Sequence, residues 1–209
     1  MDFELGKHMK EEYRRKFHKY GYSPKSLGCP KGRQNLRFDA LTKYIKPSAR
    51  VLDFGCGFGD LYGFLESNDI AIDYFGCDVM EEFLEVGKEK YPNGNFFHNP
   101  IGKPLTEKYD YIICSGIFNC LYSKDIEEHK QSIFKTMENL FTCCEKVLSI
   151  DFQSPYIDFK APDAYHQNID NLIKFSVDNL SRRFSIDHSY MPFEFCIHRN
   201  ANKLWQEKL

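Results

Sequence analysis

Residues 51–65 read VLDFGCGFGDLYGFL: an apolar run carrying Asp53, glycines at 55, 57 and 59, then Asp60 and an apolar pattern with helical spacing. A strand that turns on glycines into a helix brings backbone N–H groups close beneath a ligand, because glycine has no Cβ to hold the ligand off. Such turns also serve NAD and ATP, so departures from those loops decide the reading. The dinucleotide fingerprint GxGxxG requires a third glycine at position 60, where this chain has Asp60, and the GK[ST] ending of the phosphate-binding loop is absent. A carboxylate at that point repels phosphate.

S-adenosylmethionine carries an ammonium and a sulfonium and no phosphate, so Asp53, with Asp60 as a second candidate, would attract what it would otherwise reject. Asp78 ends the next apolar run, YFGCD, where a carboxylate can accept hydrogen bonds from both hydroxyls of a ribose. NAD also has a ribose, so Asp78 points to an adenosine ligand without separating the two; a helix N-cap is its structural alternative.

Working outward, strand and helix patterns alternate: strand at Arg50 to Phe54, helix at Asp60 to Ser67, strand at Tyr74 to Asp78, helix at Glu81 to Lys90 and strand at Asn95 to His98. Tyr109 to Ser115 is a continuous apolar run suited to a buried parallel strand. A helix follows near Asp125 to Phe141, with Ile126, Ile133, Met137, Leu140 and Phe141 inward, then a strand at Lys146 to Phe152. Asn168 is placed to cap a helix burying Ile169, Leu172, Ile173 and Leu180. Two closing strands, about Arg183 to Tyr190 and Phe193 to Arg199, are separated only by Met191 and Pro192, which forces an antiparallel hairpin.

Upstream, Met9, Tyr13, Phe17 and Tyr20 recur at helical spacing among charged residues, and the run GYSPKSLGCPKG over 21–32 reads as a loop. A second helix is expected from about Gln34 to Ile45, burying Leu36, Leu41, Tyr44 and Ile45 and stopped by Pro47. Residues 1–46 are expected to form a helical lid on a core of 47–209, the two making a single domain.

Hydrophobic residues make up 42 % and charged residues 28 % of the 209, enough apolar matter for a real core. A net charge of −2 cannot build a long-range positive field, so nucleic acid is not an expected partner. Eight cysteines without a CxxC pair or a secretory leader read as reduced thiols, and the expected location is cytoplasmic. No apolar run approaches the roughly 18 residues a membrane span needs. No metal ligand set is assigned; the expected partner is a small-molecule acceptor, and homodimerisation is compatible with the chain.

VLDFGCGFGD, GCDVM and YDYIICSGIFN resemble motifs I, II and IV of the class I S-adenosylmethionine-dependent methyltransferase superfamily, a likeness spanning about Val51 to Asp151. The resemblance implies an α/β, Rossmann-like seven-stranded mixed sheet of order 3-2-1-4-5-7-6, its last strand antiparallel, with helices on both faces. It also implies S-adenosyl-L-methionine over the carboxyl ends of strands 1, 2 and 4, with S-adenosyl-L-homocysteine as product. GRQNLRF paired with DHSYMPFEF is similar, more narrowly, to small bacterial O-methyltransferases of sugars and phosphonates.

Carried onto this chain, the resemblance gives the methionine portion to Gly55, Cys56 and Gly57, the ribose to Asp78, the adenine to Val79 and Met80, and the sulfonium surroundings to Ser115 and Gly116. Asn99 replaces an acid often found after strand 3, and its amide oxygen can still accept from the adenine amino group. Arg37 can grip the cofactor carboxylate bidentately, its alternative being a solvated helix face. Methyl transfer from a sulfonium depends mainly on positioning, so a base is needed only where the acceptor is an alcohol. His188 and Tyr190 share a strand face by alternation and can meet the acceptor, or fill a core edge. His166, in DAYHQN, can face the acceptor or be an exposed loop histidine; Asn119 can orient an acceptor oxygen or serve as a turn residue. Phe118 and Tyr122 are candidate pocket walls. An N-methyltransferase of a small amine, a non-catalytic cofactor-binding subunit and an NAD oxidoreductase are the competing readings.

Overall fold

The computed structural model describes residues 3–28, 33–121, 123, 125–158, 161 and 163–201, with 3–7 described by their helical backbone alone. The element order is α1 (Phe3–Tyr20), α2 (Gln34–Thr42), β1 (Arg50–Phe54), α3 (Asp60–Ser67), β2 (Asp73–Asp78), α4 (Glu81–Lys90), β3 (Asn95–His98), β4 (Tyr109–Cys114), α5 (Ile126–Cys143), β5 (Cys144–Gln153), α6 (Ile169–Asn179), β6 (Phe184–Met191) and β7 (Glu194–Asn200). They assemble one seven-stranded sheet of order β3-β2-β1-β4-β5-β7-β6. β1 to β5 run parallel, and β7 lies antiparallel to both β5 and β6. The expected topology and its closing hairpin are therefore present.

Alternation along the strands builds a core on each face. Leu52, Ile112, Cys114, Leu148 and Ile150 pack under α5 and α6, whereas Val51, Tyr111, Ile113 and Cys196 pack under α2 and α3. A third, smaller cluster of Phe58, Met80 and Phe83 is covered by Tyr13 and Phe17 of α1 and by Leu27. Asp125 caps α5 by accepting from the Glu127 and Glu128 amides, and Asn168 caps α6 by accepting from the Asn171 amide. The link between β3 and β4, residues 99–108, contains no helix.

Two local expectations fail. α2 ends at Thr42, with Leu36 52 % and Tyr44 39 % exposed, while Arg37, Phe38 and Leu41 are buried. The helix is rotated so that a guanidinium faces inward, because buried carboxylates wait there. In β6, Asp187 pairs with Cys196 but Met191 pairs with Glu194, so four steps on one strand oppose two on the other. This bulge breaks the alternation: Phe184 and Ile186 pack on the Leu52 face and Tyr190 on the Val51 face. No helix among the described residues is long and apolar enough to cross a membrane.

Candidate active site

β1 ends at Phe54, and the chain turns through Gly55 at φ +78° and Gly57 at φ +55°, a region that side-chain-bearing residues rarely enter. A Cβ on Gly55 would lie 2.3 Å from Ile117 Cγ2, so glycine also lets the loops after β1 and β4 touch. The Gly55 and Cys56 amides both donate to the Cys77 carbonyl, at 2.8 and 2.9 Å. One Asp78 oxygen accepts from the Gly57 amide and the other from the Met80 amide, each at 2.9 Å. Asp78 thus ties the β1 turn to the end of β2. It does not cap α4, whose N-cap is Met80.

A cleft of about 310 Å³ opens above these turns, within the range of small-molecule sites. Asp53, Gly55, Cys56, Gly57, Asp78, Val79, Asn99, Ser115, Gly116 and Arg37, ten of the residues named for the cofactor, all line it. Met80 does not: it is fully buried with Phe58 and Phe83, because the turn after Asp78 points it into the third cluster, and Phe83 reaches the cleft instead. Asp60 is also displaced. At the start of α3 it accepts from the Tyr22 hydroxyl at 2.6 Å and pairs with Lys90 at 3.1 Å, holding the segment after α1 rather than facing a ligand.

Asp53 is 2 % exposed and accepts from the Tyr74 hydroxyl at 2.9 Å. Burial pushes its carboxyl up to about 7, with Tyr74 opposing and the Asp78 and Asp60 charges adding. A buried carboxyl that titrates near neutrality beside a cleft is suited to receiving a cation. Arg37 is not on a solvated helix face: it is buried, lines the cleft and is held by carboxylates. Its Nε and Nη2 donate to the two Glu194 oxygens at 2.9 and 2.6 Å, and Nε lies 3.2 Å from Asp151. Asp151, fully buried, also accepts from the Gly116 amide at 2.5 Å and from Asn119 Nδ2 at 3.1 Å. Burial pushes its carboxyl up to about 6 against the pull of Arg37. α2, the loop after β4, β5 and β7 are thereby locked together beneath one end of the cleft.

None of the four expected catalytic residues lines the cleft. Asn119 is a brace, donating to Asp151 and accepting from the Gln153 amide at 2.9 Å. Tyr190 is separated from His188 by the β6 bulge, and its buried hydroxyl has no partner. His188 and His166 do converge, both on Ser154: His188 Nε2 lies 2.8 Å from the hydroxyl and His166 Nδ1 2.9 Å from the carbonyl. Phe118 lines the cleft, and Tyr122 lies outside the described residues. Sequence reasoning missed Asp151, Glu194 and His129. The only signals were an acid closing the apolar run LSID, an acid within MPFEF, and a histidine four residues before Ile133 on the inward stripe of α5.

Residues 52–144 match the family model described as a methyltransferase domain. A relative from Mycobacterium tuberculosis (strain ATCC 25618 / H37Rv), Rv1506c, which bears a provisional methyltransferase name, is 25 % identical over 152 residues, covering 70 % of this chain and 90 % of its own. Among solved structures, magnesium protoporphyrin IX methyltransferase from Synechocystis PCC 6803 with bound S-adenosylmethionine is similar with a TM-score of 0.65 at 17 % identity, over 96 % of this chain and 97 % of that one. Phosphoethanolamine N-methyltransferase 1 of Haemonchus contortus, in complex with phosphoethanolamine and S-adenosylhomocysteine, is similar with a TM-score of 0.64 at 12 % identity, over 98 % of this chain and 51 % of that one.

The match of residues 52–144 to a methyltransferase domain, the sheet order and a carboxylate fixed beside a glycine turn support an S-adenosylmethionine-dependent methyltransferase. The residues fit that cofactor: Asp78 would supply acceptors for hydroxyls, Asp53 would supply a counter-charge for an ammonium, and Ser115 carries a buried hydroxyl with no protein partner. When bound, the cofactor supplies a methyl group on an already activated sulfonium. The chain's contribution is then to orient, to exclude water and, where the acceptor requires it, to take a proton.

Proposed function

We propose that the chain methylates oxygen on a small polar metabolite of the sugar, phosphate or phosphonate type. The observation that carries this reading is His166. A carbonyl only accepts, so the 2.9 Å contact to the Ser154 carbonyl assigns the proton to Nδ1 and leaves Nε2 bare; Nε2 is buried and has no partner. An oriented imidazole with a bare nitrogen is what an alcohol acceptor requires, and the adjoining Tyr165 amide donates to the Asn119 carbonyl in the loop after β4, whose Phe118 lines the cleft. His188 shares Ser154 and can support the same site.

Met9 and Tyr13 of α1, with Leu27, line the cleft from above, and the segment is tied down by surface contacts such as Arg14 to Glu82 at 2.7 Å. This supports residues 1–46 as a lid admitting a small acceptor. The anionic option draws on Arg33, stacked on Phe193, because Arg37 is bound by Glu194 and Asp151; Lys31 lies outside the described residues.

The test is a labelled methyl-donor assay against sugars, phosphates, phosphonates and small amines, with the methylated atom located by NMR. A methyl ether or ester is expected, and turnover by His166→Ala should fall about 100-fold with unchanged affinity for S-adenosylhomocysteine. Methylated amine as the sole product, or wild-type turnover by the variant, would overturn the respective half.

A further inference from the structure

We infer that His129 recognises the adenine edge of the cofactor, an inference that rests on the cleft being the cofactor site. His129 sits on α5 four residues before Ile133, at the head of the buried stripe Ile133, Met137 and Leu140. It lines the cleft, is 3 % exposed, and neither of its ring nitrogens has a hydrogen-bond partner. The other buried or half-buried histidines of β3, β7 and the β5–α6 connection each have at least one polar contact: His98 to Glu81, His198 to Ser149 and His166 to Ser154. The ring of His129 meets only the Tyr165 ring, centroid to centroid 4.8 Å, among the described aromatic contacts. A buried imidazole with two idle nitrogens destabilises the protein, which makes a missing ligand the natural explanation for its placement.

Its position selects the part of the ligand. The cleft passes over the end of the sheet from one core to the other: Arg37 and Phe38 belong to the Val51 side, Cys77, Phe118 and Ile133 to the Leu52 side. Asp53, the glycine turn and the Arg37 cluster occupy the first side with a counter-charge suited to the amino-acid portion, and Asp78 marks the ribose. The second side, bounded by Asn99, Pro100–Pro104 and α5, is left for the base. No helix intervenes between β3 and β4, so the α5 surface is open to that end. Burial lowers the His129 pKa and so favours the neutral ring, which has one donor and one acceptor. Adenine offers a matching amino donor and ring-nitrogen acceptors.

Calorimetric titration of wild type, His129→Phe and His129→Gln with S-adenosylhomocysteine and with S-ribosylhomocysteine, which lacks the base, tests the assignment. For His129→Phe the Kd for S-adenosylhomocysteine should rise about tenfold, the worth of one hydrogen bond, while the Kd for S-ribosylhomocysteine stays unchanged. His129→Gln should recover part of the loss. The ligand-free melting temperature of His129→Phe should be unchanged or higher, because the substitution removes unpaired polar atoms without breaking a bond. Unchanged affinity for S-adenosylhomocysteine, or an equal loss for both ligands, overturns the inference. If wild type itself fails to bind S-adenosylhomocysteine, the reading of the cleft as the cofactor site fails instead.

Discussion

The turn after β1 and the hairpin β6–β7 treat their polar residues in opposite ways. In the turn, Asp78 binds backbone amides two and twenty-one positions away and still faces the cleft, and Asp53 is buried but borders it. In the hairpin and the strand beside it, Glu194 is consumed by Arg37, Asp187 by Lys43 and Ser189, and His188 by Ser154. The turn leaves carboxylates bordering the cleft, whereas the hairpin commits Glu194, Asp187 and His188 to contacts within the fold. That difference accounts for the compactness, in the chain, of the residues that line the cleft beside the turn, and for the spread of the Arg37 cluster across distant elements.

The contrast is most easily broken at Glu194. Replacing it with alanine leaves Arg37 buried with only part of its pairing, and a loss of about 3 kcal/mol is expected, or about 6–12 °C in Tm for a domain of this size. A thermal melt checks this; a near-wild-type Tm would show that the hairpin cluster holds nothing together. Asp78→Ala should do the reverse, reducing affinity for S-adenosylhomocysteine by about 100-fold through loss of charge-assisted hydrogen bonds, as read by calorimetry.

Asp53 gives the contrast a pH signature. Its folded carboxyl, near 7, lies above the ordinary 3.8, so the ligand-free fold holds a proton that the unfolded chain has released. Its contribution to stability is therefore lost as pH rises from about 4 through 7. An ammonium favours the ionised form, so affinity for S-adenosylhomocysteine should fall by up to about tenfold per pH unit below about 7 and level off above it. Asp53→Asn should flatten both the melting and the binding profiles. The smallest effect is expected at His188→Phe: about 1 kcal/mol of stability for the lost Ser154 contact, seen in denaturant titration, with cofactor affinity untouched.

The alternation of strands and helices, the closing hairpin, the glycine turn and Asp78 were legible because each depends on residues close in sequence: apolar runs, a two-residue link, a backbone that needs glycine, an acid at a strand end. The order of the sheet was legible only through the resemblance of the motifs. Arg37 was legible only as a residue facing the cleft. Its inward rotation depends on Glu194, 157 positions away, and on Asp151, brought under α2 by the pairing of β5 with β7. The misplacements of Met80 and Tyr190 have the same origin, since a single turn or bulge decides which side of a strand end a side chain takes.

By itself the sequence determined the alternating α/β pattern, its closing hairpin and the charge character of the cofactor loop, because hydrophobic periodicity and loop chemistry act within a few residues; the Rossmann-like sheet order came with the resemblance of the motifs. Only the tertiary structure decided which buried charges neutralise one another, that His188 and His166 meet on Ser154 instead of in the cleft, and that His129 is left without a partner. Those outcomes depend on which side chains compete for the same hydrogen bond, and that competition exists only once the strands are paired.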